Sequence, residues 1–101
     1  SLPADATAVF VANDQMALGV LHALADHGRA VPGDVSVVGF DDVADAAQYR
    51  PALTTVRQDF GALGEQAVTQ LIAQIEQDAA PSDLRLPTAL ITRDSVTAPR
   101  A

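Results

Sequence analysis

The sequence predicts an α/β fold in which a parallel sheet lies between two layers of helices, a three-layer αβα arrangement. Three observations predict it. Residues 8–12 and 35–40 are almost wholly apolar, as strands covered on both faces of a parallel sheet are. A helical pattern at 14–27 separates these two runs, which makes a right-handed, parallel βαβ unit. A second helical pattern follows at 61–77.

Length and composition limit what this chain can be. Its 101 residues make one small domain or a part of a larger one. A net charge of -7, with six arginines and no lysine, argues against direct contact with nucleic acid, which requires a clustered basic face. The absence of cysteine excludes disulfides and thiolate metal sites and is compatible with a reducing cytoplasm. No signal peptide or membrane-spanning run is visible.

The first predicted helix has recognisable ends. Its apolar positions Ala17, Val20, Leu21 and Leu24 recur at helical spacing. Asn13 or Asp14 is expected as the N-cap, with Asp14 the stronger candidate, and Gly28 as the left-handed residue that ends the helix. Leu18 and Ala25 lie beside the apolar stripe, where they either thicken the core or contact another subunit.

Three shorter elements and a tail are predicted after the βαβ unit. Residues 45–49 form a short helix that ends before Pro51, and residues 53–57 form a third strand. A last strand is expected at 84–92, and residues 93–101 should be a polar tail that frays.

The helix at 61–77 has the clearest pattern in the chain. Asp59 is a possible cap, and a surface loop is expected at 78–83. The two faces of the helix are well separated: Gly64, Ala67, Val68, Leu71, Ile72 and Ile75 are apolar, and Gln66, Gln70, Gln74 and Gln77 should face water. We expect the apolar face either to fold back on the strands or to meet another copy of the chain, because exposing it forfeits about 1.5 to 3 kcal/mol per large side chain.

Both long strands end in a pair of polar residues, Asn13-Asp14 and Asp41-Asp42. The carboxyl ends of parallel strands share one edge of a sheet, where ligands bind. An amide that donates and accepts, beside a carboxylate that accepts from two hydroxyls, suits a neutral polyol such as a sugar. Gln58 could add a second amide, and Phe60 an aromatic face.

Each of these residues also has a simpler interpretation. Asn13 is more often merely a helix cap, and Asp42 a structural or solvated residue. Phe60 is as well suited to packing its helix against the core as to lining a pocket. Asp41 and Asp42 could form a glycosidase-like pair, but adjacent side chains in an extended segment point in opposite directions.

A metal site is not expected. The two histidines, His22 and His27, are five residues apart, which is not the spacing of a zinc pair on a helix.

Three motifs resemble the LacI/GalR (lac repressor) family of bacterial transcription regulators: Phe-Val-Ala-Asn-Asp-Gln-Met-Ala-Leu-Gly at 10–19, Asp-Val-Ser-Val-Val-Gly-Phe-Asp-Asp at 34–42 and Pro-Ala-Leu-Thr-Thr-Val-Arg-Gln-Asp-Phe at 51–60. The resemblance implies the C-terminal part of a sugar-sensing domain with a periplasmic-binding-protein-like (type I) fold, in which two lobes enclose the effector. It implies a C-terminal lobe at 1–52, a crossover strand and helix of the N-terminal lobe at 53–87, and a return strand and tail at 88–101. The DNA-binding headpiece of the family is expected to lie outside this chain.

The resemblance also implies roles for particular residues. Asn13, Asp41, Gln58 and Phe60 match effector-contacting positions. Leu18, His22, Ala46, Ala47 and Tyr49 match positions at the family's dimer interface. The implied protein is a cytoplasmic, allosteric sugar sensor that acts as a homodimer without cofactor or catalysis, and meets operator DNA through its headpiece alone. The alternative with the same fold is a periplasmic sugar-binding protein of a transport system.

Overall fold

A computed structural model describes residues 5–77 and 88–99. Its elements follow the order β1 (Ala8–Phe10), α1 (Asp14–Asp26), β2 (Ser36–Asp41), a 3-10 helix (Ala46–Gln48), β3 (Thr54–Arg57), α2 (Phe60–Gln77) and β4 (Ala89–Ile91). Every described element lies where the sequence predicts one, with ends that differ by a few residues. The loop predicted at 78–83 and the first part of the strand predicted at 84–92 lie outside the described residues.

The described residues divide into two compact units, which are described separately. The first contains the residues up to Arg57 and those from Ala89 onward, and the second contains those from Gln58 to Thr88. The division therefore falls after β3, whereas the predicted lobe boundary lies before it. The assignment of residues 53–87 to an N-terminal lobe remains a prediction.

The first unit is built on a four-stranded, mostly parallel sheet in the order β1-β2-β3-β4. β1 and β3 both run parallel to β2, with Val9 opposite Val37 and Gly39 opposite Thr55, and β4 is antiparallel to β3. The predicted parallel pairing of β1 with β2 is thus confirmed. The carboxyl ends of β1, β2 and β3 meet at one edge of the sheet.

Helix α1 packs against one face of this sheet and encloses the core. The buried apolar side chains come from both layers: Val11, Ala17, Leu21, Leu24, Val35, Val37, Ala46 and Leu53. Gly28 follows the helix with a φ of +72°, as predicted for the residue that ends it. The prediction that β1 is covered on both faces is wrong within the described residues, because Phe10 is 63% exposed and has Phe40 beside it.

The predicted fraying of residues 93–101 is wrong for the residues near Ser95. Ser95 is fully buried, and its hydroxyl accepts from the Thr54 amide at 2.9 Å and donates to the Val37 carbonyl at 2.5 Å. Its own carbonyl accepts from the Val37 amide at 2.9 Å. Ser95 thus pairs with the backbone of Val37 in β2 and of Thr54, the first residue of β3. These backbone groups would otherwise lack hydrogen-bond partners.

The second unit contains helix α2. The Asp59 carboxylate accepts from the Ala62 amide at 3.0 Å, as expected of a cap. The side chains of its apolar face are half exposed or more, with Val68 and Leu71 at 57%, Ile72 at 48% and Ile75 at 74%. The expectation that this face folds back on the strands or meets another copy remains a prediction. No helix among the described residues is long and apolar enough to cross a membrane.

Candidate functional site

The candidate site lies at the carboxyl ends of β1 and β2. Asn13 follows β1 and Asp41 is the last residue of β2. A hydrogen bond links the two strand ends, since the Asp14 carboxylate accepts from the Val43 amide at 2.9 Å. The structure therefore brings the two predicted polar pairs to the same edge of the sheet.

Asn13 is the N-cap of helix α1. Its side-chain oxygen accepts from the Met16 amide at 2.8 Å, and its extended backbone is typical of a cap. The amide nitrogen of the same side chain makes no hydrogen bond with another described residue. Capping and ligand contact are therefore compatible at Asn13, because they use different atoms of one amide.

The prediction that Asp14 caps the helix is wrong, and Asp14 is instead a buried bridge. Its side chain is fully enclosed, and besides the Val43 amide it accepts from the Thr55 hydroxyl at 2.6 Å. Three segments, the start of α1, the residues after β2 and the middle of β3, thus share one carboxylate. Its place in the first turn of the helix is favourable to a negative charge.

Asp41 has a strained backbone, and its carboxylate is not used in the hydrogen bonding of the described residues. Its φ is +117° and that of Asp42 is +57°, and such conformations in residues other than glycine cost about 1 to 3 kcal/mol each. The Asp41 side chain is partly exposed and makes no hydrogen bond with another described residue. Strain of this kind is concentrated at functional sites, where the surrounding contacts hold it.

Asp42 has the structural role that the sequence allows. One carboxylate oxygen lies 2.7 Å from Arg57 Nε and the other 2.8 Å from an Arg93 guanidinium nitrogen. Burial by itself raises the pKa of the Asp42 carboxyl, but the hydrogen bonds and charges of the two arginines outweigh it and hold that pKa below its ordinary value. An ionised, doubly paired carboxylate is a poor general acid, which disfavours the glycosidase-like pair.

The ion pairs of Asp42 with Arg57 and Arg93 should make the free energy of unfolding depend on pH in the acid range. A carboxyl whose pKa is lowered in the folded state stabilises it fully above the ordinary pKa, and that contribution is lost as the pH falls through the lowered value. We expect the free energy of unfolding of Asp42→Asn, measured with urea, to decrease less than that of the unsubstituted protein between about pH 4 and pH 2. Asp94→Asn, which removes an exposed carboxylate, is the control. Equal pH slopes for all three proteins would contradict this.

Gln58 and Phe60, the other two predicted ligand residues, belong to the second unit. Gln58 is partly exposed and precedes the Asp59 cap, and Phe60 begins helix α2 with 55% of its surface exposed. Their predicted contact with an effector remains a prediction.

The predicted dimer residues differ in exposure. His22 and Ala47 are exposed, whereas Leu18 and Tyr49 are partly exposed. Ala46 is fully buried in the core, so its side chain offers no surface to a partner and we do not include it in the interface proposed below. Burial, together with the charges of Asp14 and Asp45, raises the pKa of the Tyr49 hydroxyl.

Metal ligands are not clustered in the described parts of the chain. Neither His22 nor His27 belongs to a group of three side chains that could hold an ion. His27 instead directs a ring nitrogen at the Ala23 carbonyl, 2.8 Å away.

The mostly parallel sheet and its helices define an α/β domain of the periplasmic binding protein type. Residues 1–96 match the family described as the periplasmic binding protein-like domain, and the chain belongs to that family. Within it, the chain is similar to lac repressors, which agrees with the LacI/GalR family that the three motifs resemble.

Named relatives support this placement. The lactose operon repressor of Klebsiella pneumoniae is 52% identical over 89 residues, which are 88% of this chain and 25% of the relative. A lac repressor dimer bound to operator and the anti-inducer ONPF has a TM-score of 0.85 and 43% identity, over 91% of this chain and 32% of that one. A complex of the transcriptional regulator CelR with cellobiose has a TM-score of 0.83 and 39% identity, over 90% of this chain and 28% of that one. The chain spans about a quarter of the length of its curated relatives.

Proposed function

We propose that this chain is the ligand-sensing part of a sugar-responsive bacterial transcription regulator. The observation that carries the proposal is the joined pair of strand ends, where the Asp41 carboxylate and the Asn13 amide nitrogen are left without hydrogen-bond partners among the described residues. The relatives named above, which are repressors and regulators, favour this function over the transport alternative.

The proposed effector is a mono- or disaccharide. A carboxylate that accepts from two hydroxyls and an amide nitrogen that donates to a third oxygen match the polar groups of one sugar ring. Gln58 and Phe60 would add an amide and an aromatic face from the second lobe of the intact protein. The cellobiose of one structural relative and the lactose operon in the name of another support this ligand class.

The proposed regulator is a cytoplasmic homodimer that needs no cofactor and catalyses no reaction. Leu18, His22, Ala47 and Tyr49 are its proposed interface residues. Effector binding between the lobes would shift the dimer between arrangements that do and do not bind operator DNA, a coupling of typically 1 to 3 kcal/mol. Contact with DNA is assigned to a headpiece outside this chain, since the net charge of -7 disfavours such contact here.

Calorimetry on the protein expressed from the complete gene tests the proposal. Glucose, galactose, lactose, cellobiose and melibiose form a suitable panel. We expect Asp41→Asn to weaken binding of the best sugar about 10- to 100-fold, because it removes the charge from hydrogen bonds worth about 1.5 to 3 kcal/mol each. Asparagine keeps the size of the side chain and tolerates positive φ.

Two results would count against the proposed function. Binding of no sugar in the panel would remove its basis, and unchanged affinity in Asp41→Asn would remove the assigned residue. Asp94→Asn, at an exposed position, should bind the sugar as the unsubstituted protein does. Release of free sugar from a chromogenic glycoside would instead indicate an enzyme.

A further inference from the structure

The strained backbone at Asp41 and Asp42 is fixed on three sides. Asp41 itself is in register with Arg57 at the end of the β2–β3 ladder. On the following side, the Val43 amide donates to the buried Asp14 carboxylate at 2.9 Å. Between these two points, the Asp42 side chain is held by both of its oxygens. Contacts of all three residues 41–43 therefore maintain the strain, and the Asp41 side chain takes no part in them.

Arg93 is the firmer of the two arginines that hold Asp42. It donates to Asp42 at 2.8 Å and to the Leu53 carbonyl at 2.8 Å, and its backbone amide donates to the Thr54 hydroxyl at 2.8 Å. Its side chain is 18% exposed, whereas that of Arg57 is 55% exposed and that of Asp42 8%. Asp42 is thus anchored to a guanidinium group that is itself bonded to the carbonyl of Leu53, the residue before β3.

The neighbouring carboxylates are used in opposite ways. Both oxygens of Asp42 are engaged within the protein, and those of Asp41 have no hydrogen bond with a described residue. A side chain that must meet a ligand in one orientation benefits from a backbone that cannot relax when the ligand is absent.

We propose that Asp42 is a positioning residue for effector binding. Its pairing with Arg93 and Arg57 holds the Asp41–Asp42 backbone at positive φ, and this directs the Asp41 carboxylate at the sugar. The inference rests on the proposed function, in which Asp41 contacts the effector, and assigns to Asp42 a role exerted through Asp41 alone.

Asp42→Asn is the sharpest substitution for a test. Asparagine has the same size and tolerates a φ near +57°, so the backbone preference is retained. Only one of its two side-chain groups accepts hydrogen bonds, so its amide nitrogen meets one of the guanidinium groups and that contact is lost. Asp94→Asn removes an exposed carboxylate next to Arg93 and serves as the matched control.

Affinities for lactose and cellobiose, measured by calorimetry on the protein expressed from the complete gene, give the first readout. We expect Asp42→Asn to weaken binding about tenfold and Asp94→Asn to leave it unchanged. In the Asp41→Asn background, Asp42→Asn should cause little further loss, since the residue through which it acts has already been altered. An equal loss in both backgrounds, or no loss at all, would overturn the proposal.

Amide hydrogen exchange at Val43 gives a second readout that does not depend on a sugar. Loosening of the turn in Asp42→Asn should accelerate exchange of this amide about tenfold, while Leu21 in the core of the first unit keeps its protection. If no sugar of the five-member panel binds the unsubstituted protein, the proposed function fails and exchange alone decides whether Asp42 holds the turn. Unchanged exchange at Val43 would overturn the holding role.

Discussion

Replacing Gly39 by alanine is expected to destabilise the protein by about 3 kcal/mol or more. A Cβ at this position would overlap the Asp14 carboxylate and lie 2.9 Å from Leu53 Cδ2, and both of those side chains are fully buried. The carboxylate cannot move away without losing its hydrogen bonds to the Thr55 hydroxyl and the Val43 amide. Urea denaturation of the variant and the unsubstituted protein measures the difference.

Gly19→Ala is the matched control for this substitution. Gly19 is exposed within helix α1, and nothing lies within 4 Å of the position that its Cβ would take. Alanine in a helix interior is favoured over glycine by about 0.5 to 1 kcal/mol, so the control variant should be slightly more stable than the unsubstituted protein. Similar small effects at Gly39 and Gly19 would show that the packing around Gly39 is looser than the structure indicates.

The periodicity of apolar residues predicts the elements of this fold well. Helix α1 begins at the predicted Asp14, and the parallel pairing of β1 with β2 follows from the helix that separates them. Burial of β1 is predicted less well, because an apolar run indicates that a strand can be covered on both faces and not which segment covers it. The exposed Phe10 illustrates this limit.

The candidate site is predicted in position and only partly in detail. Adjacent polar residues at a strand end identify the edge of the sheet, but their roles depend on distant partners. Asp14 resembles a cap in sequence and becomes a bridge because Thr55 and Val43 reach it from other segments. Ser95 resembles part of a polar tail, and the backbone groups that fix it belong to β2 and β3.

Gly39 was the available signal for the buried carboxylate. A glycine in the interior of an apolar strand often marks the close approach of another group. Gly39, two residues before Asp41, is such a glycine and indicates that another group lies against β2. The sequence does not identify that group, since Asp14 lies far away along the chain.

Asp14→Ala is expected to reduce the free energy of unfolding by about 2 to 4 kcal/mol, because it leaves the Thr55 hydroxyl and the Val43 amide without their acceptor. Removal of a buried charge offsets part of that loss. Sugar affinity should fall as well, since the bridge joins the strand ends that carry Asn13 and Asp41. Urea denaturation and calorimetry on the protein expressed from the complete gene measure the two effects.

A double variant that combines Gly39→Ala with Asp14→Ala tests whether the Asp14 carboxylate is the reason that position 39 requires glycine. Without the carboxylate, Leu53 Cδ2 is the close contact that remains of the three nearest atoms, so Gly39→Ala should cost about 1 kcal/mol in the Asp14→Ala background. Asp14→Asn keeps the bulk of the side chain, and in that background the full cost of Gly39→Ala should remain. Additive effects within about 0.5 kcal/mol in the alanine background would mean that Gly39 is required for a reason other than the bridge.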